Sequence, residues 1–467
     1  SHMNGECRPP AQRRRRGIRD DAAGGTPMMR YTENEVMEFV RENEVKFIRL
    51  AFCDLFGAQK NISITAEELP RAFAGGISFD ASAIEGFLNV DRSDLFLFPE
   101  PDTLAVLPWR PGRGRAARLF CEIRHPDGAP FEGDGRYLLK KACARAREMG
   151  YLCQIGPECE FYLFELDEKG NPTTLPIDTA GYLDVAPADR GENIRRDICL
   201  TLEEMGIVPE SFHHEQGPGQ NEIDFRYSDA LTAADQVVTF KGAVRTMAAQ
   251  NGMFASFLPK PMLDCAGSGF HINMSLSKDG RNIFQNGGGQ HCPEAEGFLA
   301  GILARVREIT AILNPLTNSY RRFGAFEAPR YITWSHSNRS QLIRIPAVTG
   351  EYARIELRSP DPACNPYFAF ALLIHAGLDG VEQGLALPAA CEHDLYHAGE
   401  TLLADYERLP ADLGEALDLL EQSELVRRVL PSDTLAKFLS AKRRAQAANL
   451  RAEDPFGLEH RTDFLRY

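Results

Sequence analysis

The 467-residue chain lacks the features that mark several large classes of protein. No apolar run approaches the ~20 residues that a membrane-spanning helix needs. Positive charge is not in excess either: the net charge is −14, whereas nucleic-acid binding requires a basic surface or stripe. The eleven cysteines form no Cys-x-x-Cys pair, so neither a disulfide framework nor a zinc ribbon is predicted. We expect a cytoplasmic protein whose partners include no membrane and no nucleic acid.

Composition divides the chain into three parts. Residues 1–28 begin with apparent cloning residues and are rich in Arg, Pro, Gly and Asp, so we predict a disordered leader. Residues 29–134 carry a short helical pattern, from Glu33 to Glu42, and strand-like runs separated by Gly and Pro, which predicts a small α+β domain. Residues 135–467 open with an amphipathic helix, from Arg136 to Met149, and continue as alternating strands and helices, which predicts a larger α/β domain.

Acidic residues alternate along one predicted strand, residues 156–164. Residues two apart on a strand point to the same face, so Glu158 and Glu160 share a face at a spacing of about 7 Å. Cys159 points to the other face, and we predict that it packs in the core. By itself, this segment fits the exposed edge of an amphipathic strand equally well.

A second acidic segment contains Glu215 and Glu222, separated by two glycines and a proline. This composition predicts a turn that brings both carboxylates toward one point, although most such segments are only loops. The segment is not a dinucleotide-binding fingerprint because the third glycine is missing, and the chain contains no Walker A sequence. Any nucleotide must therefore bind in a cradle of another kind.

Two further segments predict strands with polar faces. A glycine turn leads into an alternating strand that places His271, Asn273 and Ser275 on one face. Charged and aliphatic residues alternate from Arg354 to Arg358. Taken singly, a strand histidine is more often a core residue than a ligand, and the second pattern is typical of any half-exposed strand.

Together, these segments resemble the successive signatures of type I bacterial glutamine synthetases. Residues 314–322 and the run Glu327-Ala328-Pro329, Asn338-Arg339-Ser340 and Arg344-Ile345-Pro346 complete the series in that family's order. The resemblance covers residues 30–467, and the joint match is specific although each piece is not. It implies a small β-grasp-like N-terminal domain, a large catalytic α/β domain, and a dodecamer of two hexameric rings with active sites between subunits.

The resemblance also implies two divalent metal ions, Mg²⁺ or Mn²⁺, in each active site. These hard cations prefer carboxylate oxygens and tolerate one imidazole. The residues that match the ligands of one ion are Glu160, Glu215 and Glu222. Those that match the ligands of the other are Glu158, His271 and Glu356.

The implied reaction uses ATP to activate the γ-carboxylate of glutamate as a phosphate anhydride, which ammonia then attacks. Phosphoryl transfer between anions requires cations and arginines that neutralise the crowded charge. The residues that match the ATP side of the family's site are Ser275, Arg339, Arg344 and Arg354. Those that match the glutamate side are Gly267, His271, Arg322 and Arg358.

Further matches concern the second half of the reaction. Asp80 matches the aspartate that deprotonates ammonium in the active site of the neighbouring subunit. Tyr182 matches a residue beside the ammonium pocket. Glu327 matches the flap carboxylate that closes over the phosphorylated intermediate and excludes water. With Arg339, Asp80 and Glu327 are the predicted catalytic residues.

A few positions depart from the family pattern. Ala83 and Ala266 stand where serine and asparagine are common, and one residue is missing between Arg322 and Glu327. Tyr396 lies near a position that is adenylylated in some members, but the residues after it differ, so this modification is not predicted.

Two alternatives remain open at this point. A γ-glutamyl-amine ligase would share the fold, metals and phosphoryl chemistry but accept an organic amine in place of ammonia. A non-catalytic structural relative would keep the ring and lose the chemistry, against which stands the presence of every matched metal ligand.

Overall fold

The structure, a computed structural model, describes residues 30–109, 113–285 and 291–467. The predicted leader, residues 1–28, lies outside these residues. The described part of the chain folds around two sheets, one amino-terminal and one central to the remainder of the chain. The predicted α+β class is therefore confirmed. In the described part of the chain, no helix has the length and apolarity that crossing a membrane requires.

The first sheet belongs to the small domain. Its elements are α1 (Glu33–Glu42), β1 (Val45–Cys53), β2 (Gln59–Thr65), α2 (Leu69–Gly75), β3 (Ile77–Asp80), β4 (Asp94–Pro99), β5 (Ala105–Val106) and β6 (Arg115–Arg124). Strand β2 forms a hairpin with β1 and runs antiparallel to it, whereas β6 runs parallel to β1. Helix α1 begins where the Thr32 and Glu35 side chains bond reciprocally to each other's backbone N–H groups, which fixes its start.

The second sheet carries the remainder of the described strands. They are β7 (Leu152–Leu166), β8 (Pro172–Pro176), β9 (Pro209–His214), β10 (Gln220–Phe225), β11 (Ser228–Asp229), β12 (Met253–Ser256), β13 (Phe270–Lys278), β14 (Arg281–Asn282), β15 (Trp334–His336), β16 (Ile343–Ile345) and β17 (Ile355–Leu357). The main path through the sheet is β15-β16-β17-β13-β7-β10-β9. This path places side by side β16, β17, β13, β7 and β10, most of which are distant from one another in sequence.

Helices alternate with these strands along the chain, and several of them pack against the sheet. The helices are α3 (Gly135–Glu148), α4 (Glu192–Glu204), α5 (Ala230–Gln250), α6 (Pro293–Leu313), α7 (Pro366–Glu382), α8 (Glu400–Leu403), α9 (Leu413–Gln422), α10 (Glu424–Val429), α11 (Ser432–Arg451) and α12 (Pro455–Asp463). Helices α6 and α7 can approach closely because Gly301 has no Cβ atom. A Cβ at that position would lie only 2.2 Å from the carbonyl oxygen of Ala376. Helix α7 is buried along most of its length.

Burial alternates along β7 and separates the core from a polar face. Cys153, Ile155, Cys159 and Phe161 are buried in the main core. Cys159 is 0% exposed, which confirms its predicted packing role. The other face of the same strand carries Glu158 and Glu160. The apolar alternation of one strand therefore aims these carboxylates away from the helices.

The two domains meet through buried ion pairs. Arg136, at the start of α3, bonds to Glu100 of the small domain and makes two bonds to Asp235 of α5. Lys140 also bonds to Glu100. The predicted helix from Arg136 agrees with α3, whereas the boundary between residues 134 and 135 remains a prediction.

Candidate active site

The strand register brings distant polar residues into rows on the face opposite the helices. Strand β7 pairs with β13 on one side and with β10 on the other, and β13 also pairs with β17. The opposed residues are Glu158 with His271, Glu160 with Glu222, and Asn273 with Glu356. Antiparallel partners stand about 4.5–5.5 Å apart at Cβ, so each row is within reach of a shared ligand.

The first cluster consists of Glu158, His271 and Glu356, whose ligand atoms all lie within 4.8 Å of one another. The Nδ1 atom of His271 is 3.3 Å from Glu158 Oε2 and 3.5 Å from Glu356 Oε1. Burial lowers the pKa of His271 well below its ordinary value, and the nearby Arg358 lowers it further. The imidazole is therefore neutral, which is the form that binds a metal ion.

Glu356 is 1% exposed and is the most enclosed carboxylate of this cluster. Arg344 donates to its Oε2 atom through Nε at 2.7 Å and Nη2 at 2.6 Å. Arg358 donates to Oε1 at 2.6 Å. Two guanidinium groups thus compensate one buried carboxylate, and removing that carboxylate would leave both of them short of a partner.

The second cluster consists of His213, Glu215 and Glu222, again with ligand atoms within 4.8 Å of one another. His213 Nε2 lies 2.8 Å from Glu215 Oε1. Glu160 stands beside this cluster but is not one of the three, and its Oε2 atom accepts a hydrogen bond of 2.5 Å from the N–H of Gly269. Both Glu160 and the cluster face the same cavity.

Crowding shifts the acidity of this second group. Burial, followed by repulsion from Glu215, raises the pKa of Glu160 to about 8. Burial, followed by repulsion from Asp224 and Glu160, raises the pKa of Glu222 well above its ordinary value. Both shifts therefore have the same two causes: burial comes first, and repulsion among several carboxylates in one space adds to it. A cation in that space would relieve the repulsion.

The cavity that the two clusters face has a volume of about 330 Å³. Four arginines line it: Arg322, Arg339, Arg344 and Arg358. Arg322 is 3% exposed and donates to the carbonyl oxygens of Ser359 at 2.7 Å and of Arg358 at 2.9 Å. A cavity with carboxylates at one end and guanidinium groups beside them suits an anionic ligand that also contacts cations.

Gly267 forms part of the cavity wall where the chain passes close to Arg322. A Cβ atom at Gly267 would lie 2.7 Å from the carbonyl oxygen of Pro259 and 2.9 Å from Cγ of Arg322. No larger residue fits without moving backbone. The neighbouring Ala266 also lines the cavity, and its carbonyl oxygen accepts a hydrogen bond of 2.5 Å from the hydroxyl of Tyr162.

A short strained segment closes one side of the cavity. Phe326 and Glu327 have φ angles of 51° and 66°, in the left-handed region that non-glycine residues seldom adopt. The ammonium group of Lys260 lies 4.5 Å from the centre of the Phe326 ring, and Arg358 Nη2 donates to the carbonyl oxygen of Glu327 at 3.4 Å. Tyr182 also borders the cavity, with its ring centre 5.6 Å from that of His213.

A second, smaller cavity of about 90 Å³ lies on the other side of Glu158, which lines both. Tyr227 and Tyr352 stand at its wall with ring centres 6.5 Å apart. Arg354 Nε donates to Asn273 Oδ1 at 2.8 Å, and Asn273 Nδ2 donates to Glu158 Oε1 at 2.9 Å. A hydrogen-bonded chain therefore joins this cavity to the first cluster.

Models of two protein domains match the chain. The glutamine synthetase catalytic domain matches residues 132–458, and the glutamine synthetase beta-Grasp domain matches residues 44–126. The chain belongs to the glutamine synthetase family. This membership confirms the resemblance and the order of a β-grasp domain followed by a catalytic domain, and it makes the chain a member of a ligase family.

Individual proteins of known name align with most of this chain. A glutamine synthetase from Clostridium saccharobutylicum is 46% identical over 420 residues, which are 89% of this chain and 95% of the relative. A glutamine synthetase from Methanosarcina mazei is 47% identical over 421 residues, 88% of this chain and 93% of the relative. A solved structure of a GmaS/ADP complex superposes with a TM-score of 0.82 at 31% identity, covering 92% of this chain and 99% of that one.

Most residues matched to this family's site lie together. The cavity of about 330 Å³ is lined by Glu158, Glu160, Tyr182, Glu215, Glu222, Gly267, His271, Arg322, Glu327, Arg339, Arg344 and Arg358. Glu356 is bonded to its arginines, while Ser275 and Arg354 line the smaller cavity. The predicted roles of these residues remain predictions.

Asp80 is not brought to either cavity within a single chain. It ends β3 in the small domain with its side chain exposed, and it does not line the cavities. Its Oδ1 atom accepts hydrogen bonds from the hydroxyl of Ser82 at 2.6 Å and from the N–H of Ser82 at 2.9 Å. These bonds lower the pKa of Asp80, so the carboxylate is ionised at neutral pH.

Sequence reasoning overlooked several site residues. His213 stands two residues before Glu215, and the alternation rule that grouped Glu158 with Glu160 would have placed it on the Glu215 side of the turn. The alternation of its strand places Asn273 on the polar face but indicates no role for it. Tyr227 and Tyr352 carry no local signal, because a tyrosine outside a periodic pattern does not reveal which cavity it borders.

Proposed function

We propose that this chain is a glutamine synthetase, which ligates ammonia to the γ-carboxylate of L-glutamate and converts ATP to ADP and phosphate. The observation that carries the proposal is the convergence of two carboxylate–histidine clusters and four arginines on one cavity. Such a cavity can hold two cations and an amino-acid carboxylate, and the glutamine synthetases among the relatives support this assignment.

The donor set fits two hard divalent cations. We assign Glu158, His271 and Glu356 to one ion, and Glu160, Glu215 and Glu222 to the other, with His213 as a further candidate ligand. The raised pKa values of Glu160 and Glu222 support a cation there, since the metal-free group is overcrowded with negative charge. Bound Mg²⁺ or Mn²⁺ would supply charge neutralisation for phosphoryl transfer.

ATP is proposed to lie in the smaller cavity with its phosphates directed toward Glu158. Tyr227 and Tyr352 offer aromatic surface for the base, and the ADP bound in the related GmaS structure supports a nucleotide site in this fold. Ser275 and Arg354 belong to the same wall. Arg339 and Arg344 line the larger cavity, where the γ-phosphate would meet the substrate.

The first chemical step activates glutamate. A carboxylate is a poor electrophile because it cannot expel oxide, so its γ-oxygen attacks the γ-phosphorus of ATP and ADP leaves. Arg322 and Arg358 hold the glutamate, and Arg339 neutralises charge that develops on the transferring phosphoryl group. The product is γ-glutamyl phosphate, which has phosphate as a good leaving group.

The second step forms the amide. Asp80 of a neighbouring subunit takes a proton from ammonium, and the resulting ammonia attacks the γ-carbonyl carbon. The bond from that carbon to the phosphate oxygen then breaks, and the departing phosphate takes up the surplus proton of the new amide. Tyr182 borders the ammonium pocket, and Glu327 closes the strained flap so that water does not hydrolyse the intermediate. Because Asp80 lies outside its own chain's cavity, we propose an assembly that shares sites, namely a dodecamer of two hexameric rings in the cytoplasm.

A coupled assay of ADP formation tests this proposal. We expect ADP release that requires glutamate and a divalent cation and rises strongly when ammonium is added. A panel of organic amines at equal concentration serves as the comparison. Faster turnover with an organic amine than with ammonium would replace the proposed acceptor, and no glutamate-dependent turnover would contradict catalysis.

A further inference from the structure

A group of buried polar residues, called the frame below, lies behind the second carboxylate cluster. Its members are Asp178, Asp189, Arg195 and His214. The side chain of His214 is 0% exposed and that of Asp178 is 2% exposed, and His214 Nε2 lies 2.9 Å from Asp178 Oδ1. The other ring nitrogen, Nδ1, lies 2.7 Å from the carbonyl oxygen of Glu215. Both ring nitrogens of His214 are therefore held by an oxygen atom, one on each side of the ring.

The polar atoms of the frame are already engaged in hydrogen bonds. The ligand atoms of Asp178, Asp189 and His214 lie within 4.8 Å of one another, a spacing that would suit a cation. However, the Asp178 carboxylate also accepts from the N–H groups of Gly219 at 2.8 Å, Arg190 at 3.0 Å and Ala180 at 3.2 Å. Both imidazole nitrogens have hydrogen-bond partners as well, so we assign these residues a structural role.

An arginine anchors the same frame on its other side. Arg195 of α4 forms a bidentate ion pair with Asp189 and donates to Asn221 Oδ1 at 2.5 Å. Asn221 sits on β10 beside Glu222, and its amide donates to the carbonyl oxygen of Gly219 at 2.9 Å. The turn between Glu215 and Glu222 is therefore tied to a helix that is itself part of the core.

The frame also reaches the loop that carries Tyr182. The N–H of Leu183 donates to the carbonyl oxygen of His214 at 3.0 Å, and Leu183 has a φ angle of 61°. Non-glycine residues hold such a conformation only when their surroundings impose it. His214 is thus linked through its backbone carbonyl to the loop of Tyr182 and through its imidazole to the backbone of Glu215. Tyr182 and Glu215 both line the cavity.

We propose that the His214–Asp178 pair is a positioning pair that holds the Glu215 carboxylate in place for its metal ion. The inference rests on the proposed function, since it takes Glu215 to be a metal ligand. Supporting groups behind a metal ligand commonly contribute 10- to 100-fold to affinity, which roughly sets the effect expected here.

Two amide substitutions separate the two hydrogen bonds of His214. The amide nitrogen of glutamine approximates the position of Nε2, so His214→Gln keeps a donor for Asp178 and loses the donor for Glu215. The shorter asparagine approximates Nδ1, so His214→Asn keeps the donor for Glu215 and loses the one for Asp178. Asp178→Asn removes the carboxylate itself and serves as a third variant. His375→Gln is the matched control, because His375 is a half-buried histidine of α7 that bonds to Arg145 and lines neither cavity.

Mn²⁺ binding to the full chain, measured by electron paramagnetic resonance without nucleotide or glutamate, provides a readout that does not depend on turnover. We expect the wild type and His375→Gln to bind two ions, and the His214 and Asp178 variants to bind one of them roughly 10- to 100-fold more weakly. The two amide variants of His214 remove no negative charge, so weaker binding in them reports geometry and not charge. Asp178→Asn also removes a negative charge, so its result is interpreted only together with those of the His214 variants.

The possible failures are distinguishable. Two ions in the wild type with unchanged affinities in all folded variants would overturn the positioning role while leaving the proposed function intact. Equal weakening of both ions, together with a lower unfolding temperature, would point to general damage and also overturn it. Fewer than two ions in the wild type would contradict the proposed function, and the inference would fall with it.

Discussion

The small domain and the large domain supply very different kinds of residue to the proposed site. The large domain contributes Glu158, His271 and Glu356, all oriented by the register of adjacent strands and enclosed by protein. The small domain contributes Asp80, which is exposed and bonded only locally to Ser82. Because Asp80 lies on an exposed surface of its own chain, it can act in an enclosed site only if that site belongs to a second chain.

This contrast divides the proposed reaction between domains. In the proposed reaction, residues of the large domain bind the cations, the nucleotide and glutamate, and so carry out the phosphoryl-transfer half. The small domain is then needed only for the half that consumes ammonium.

Glu356→Gln should abolish most activity in the large domain's half of the reaction. The substitution removes a proposed metal ligand and leaves Arg344 and Arg358 without their shared carboxylate. We expect glutamate-dependent ADP release to fall by more than about 100-fold, beyond the loss typical of a group that only supports a ligand. Glu165→Gln, on the same sheet in β7 but outside both cavities, is the control and should keep its rate. Retention of activity by Glu356→Gln would remove Glu356 from the metal site.

Asp80→Ala should impair only the half that uses ammonium. Without the carboxylate, glutamine formation is expected to fall by about 10²- to 10⁴-fold, the range of a lost general base, while slow glutamate-dependent ADP release persists. Asp91→Ala, at another exposed aspartate of the small domain, should behave like the wild type. Equal loss of both activities in Asp80→Ala would contradict the division between domains.

Mixed assemblies test whether the site is shared. Asp80→Ala and Glu356→Gln chains, unfolded and reassembled together, should create some sites with wild-type residues at both positions. Glutamine formation should therefore reappear in the mixture but not in either variant reassembled alone. If subunit exchange is proven and the mixture stays inactive, Asp80 serves its own chain's site or none.

The crowded carboxylates predict a stability that depends on pH and on cations. The pKa of Glu160 is raised to about 8 by burial and by Glu215, and that of Glu222 is raised by burial and by Asp224. Since these folded-state values exceed the unfolded value of about 4.3, the native state retains protons that the unfolded chain releases. The resulting stabilisation is fully present below about pH 4 and is lost as the pH rises through about 8.

Thermal unfolding tests whether stability falls as the pH rises. In the absence of metal, the unfolding temperature should fall between about pH 6 and about pH 8.5, and Mg²⁺ should restore more of it at the higher pH. Glu160→Gln should flatten the decline, because its amide stays neutral throughout. An unfolding temperature that rises over this interval in metal-free protein would contradict the crowding argument.

The smallest effect is expected at the amino terminus. Deleting residues 1–28 should change ADP formation and the assembly state by less than about twofold, because their composition cannot support a packed core. Gel filtration and the coupled assay measure both. A truncated chain that is monomeric or inactive would show that these residues assist assembly and would extend the small domain's role.

Much of the local structure could be predicted from the sequence. The helix expected from Glu33 to Glu42 has those bounds in the structure, and alternation in β7 correctly separated Cys159 from Glu158 and Glu160. The turn predicted between Glu215 and Glu222 does bring the two carboxylates together. These features depend on neighbours within a few residues, which is the range over which chain patterns carry information.

Other features required the tertiary structure. The pairing of His271 with Glu158 joins residues more than a hundred positions apart, and the bonds from Arg344 and Arg358 to Glu356 depend on two further strands. Periodicity assigns a side chain to a face but does not choose its partner strand or the register of pairing. The frame around His214 went unrecognised for the same reason, whereas the local alternation rule could have found His213.

The amino-acid sequence by itself determined which residues face the polar side of each strand and, through the order of its motifs, the family. Only the tertiary structure decided that six residues from five separate segments form two clusters, that His214 is buried behind one of them, and that Asp80 lies outside its own chain's cavity. The physical reason is that face selection follows from local backbone geometry, whereas burial, crowding and register arise from contacts between segments distant in the chain.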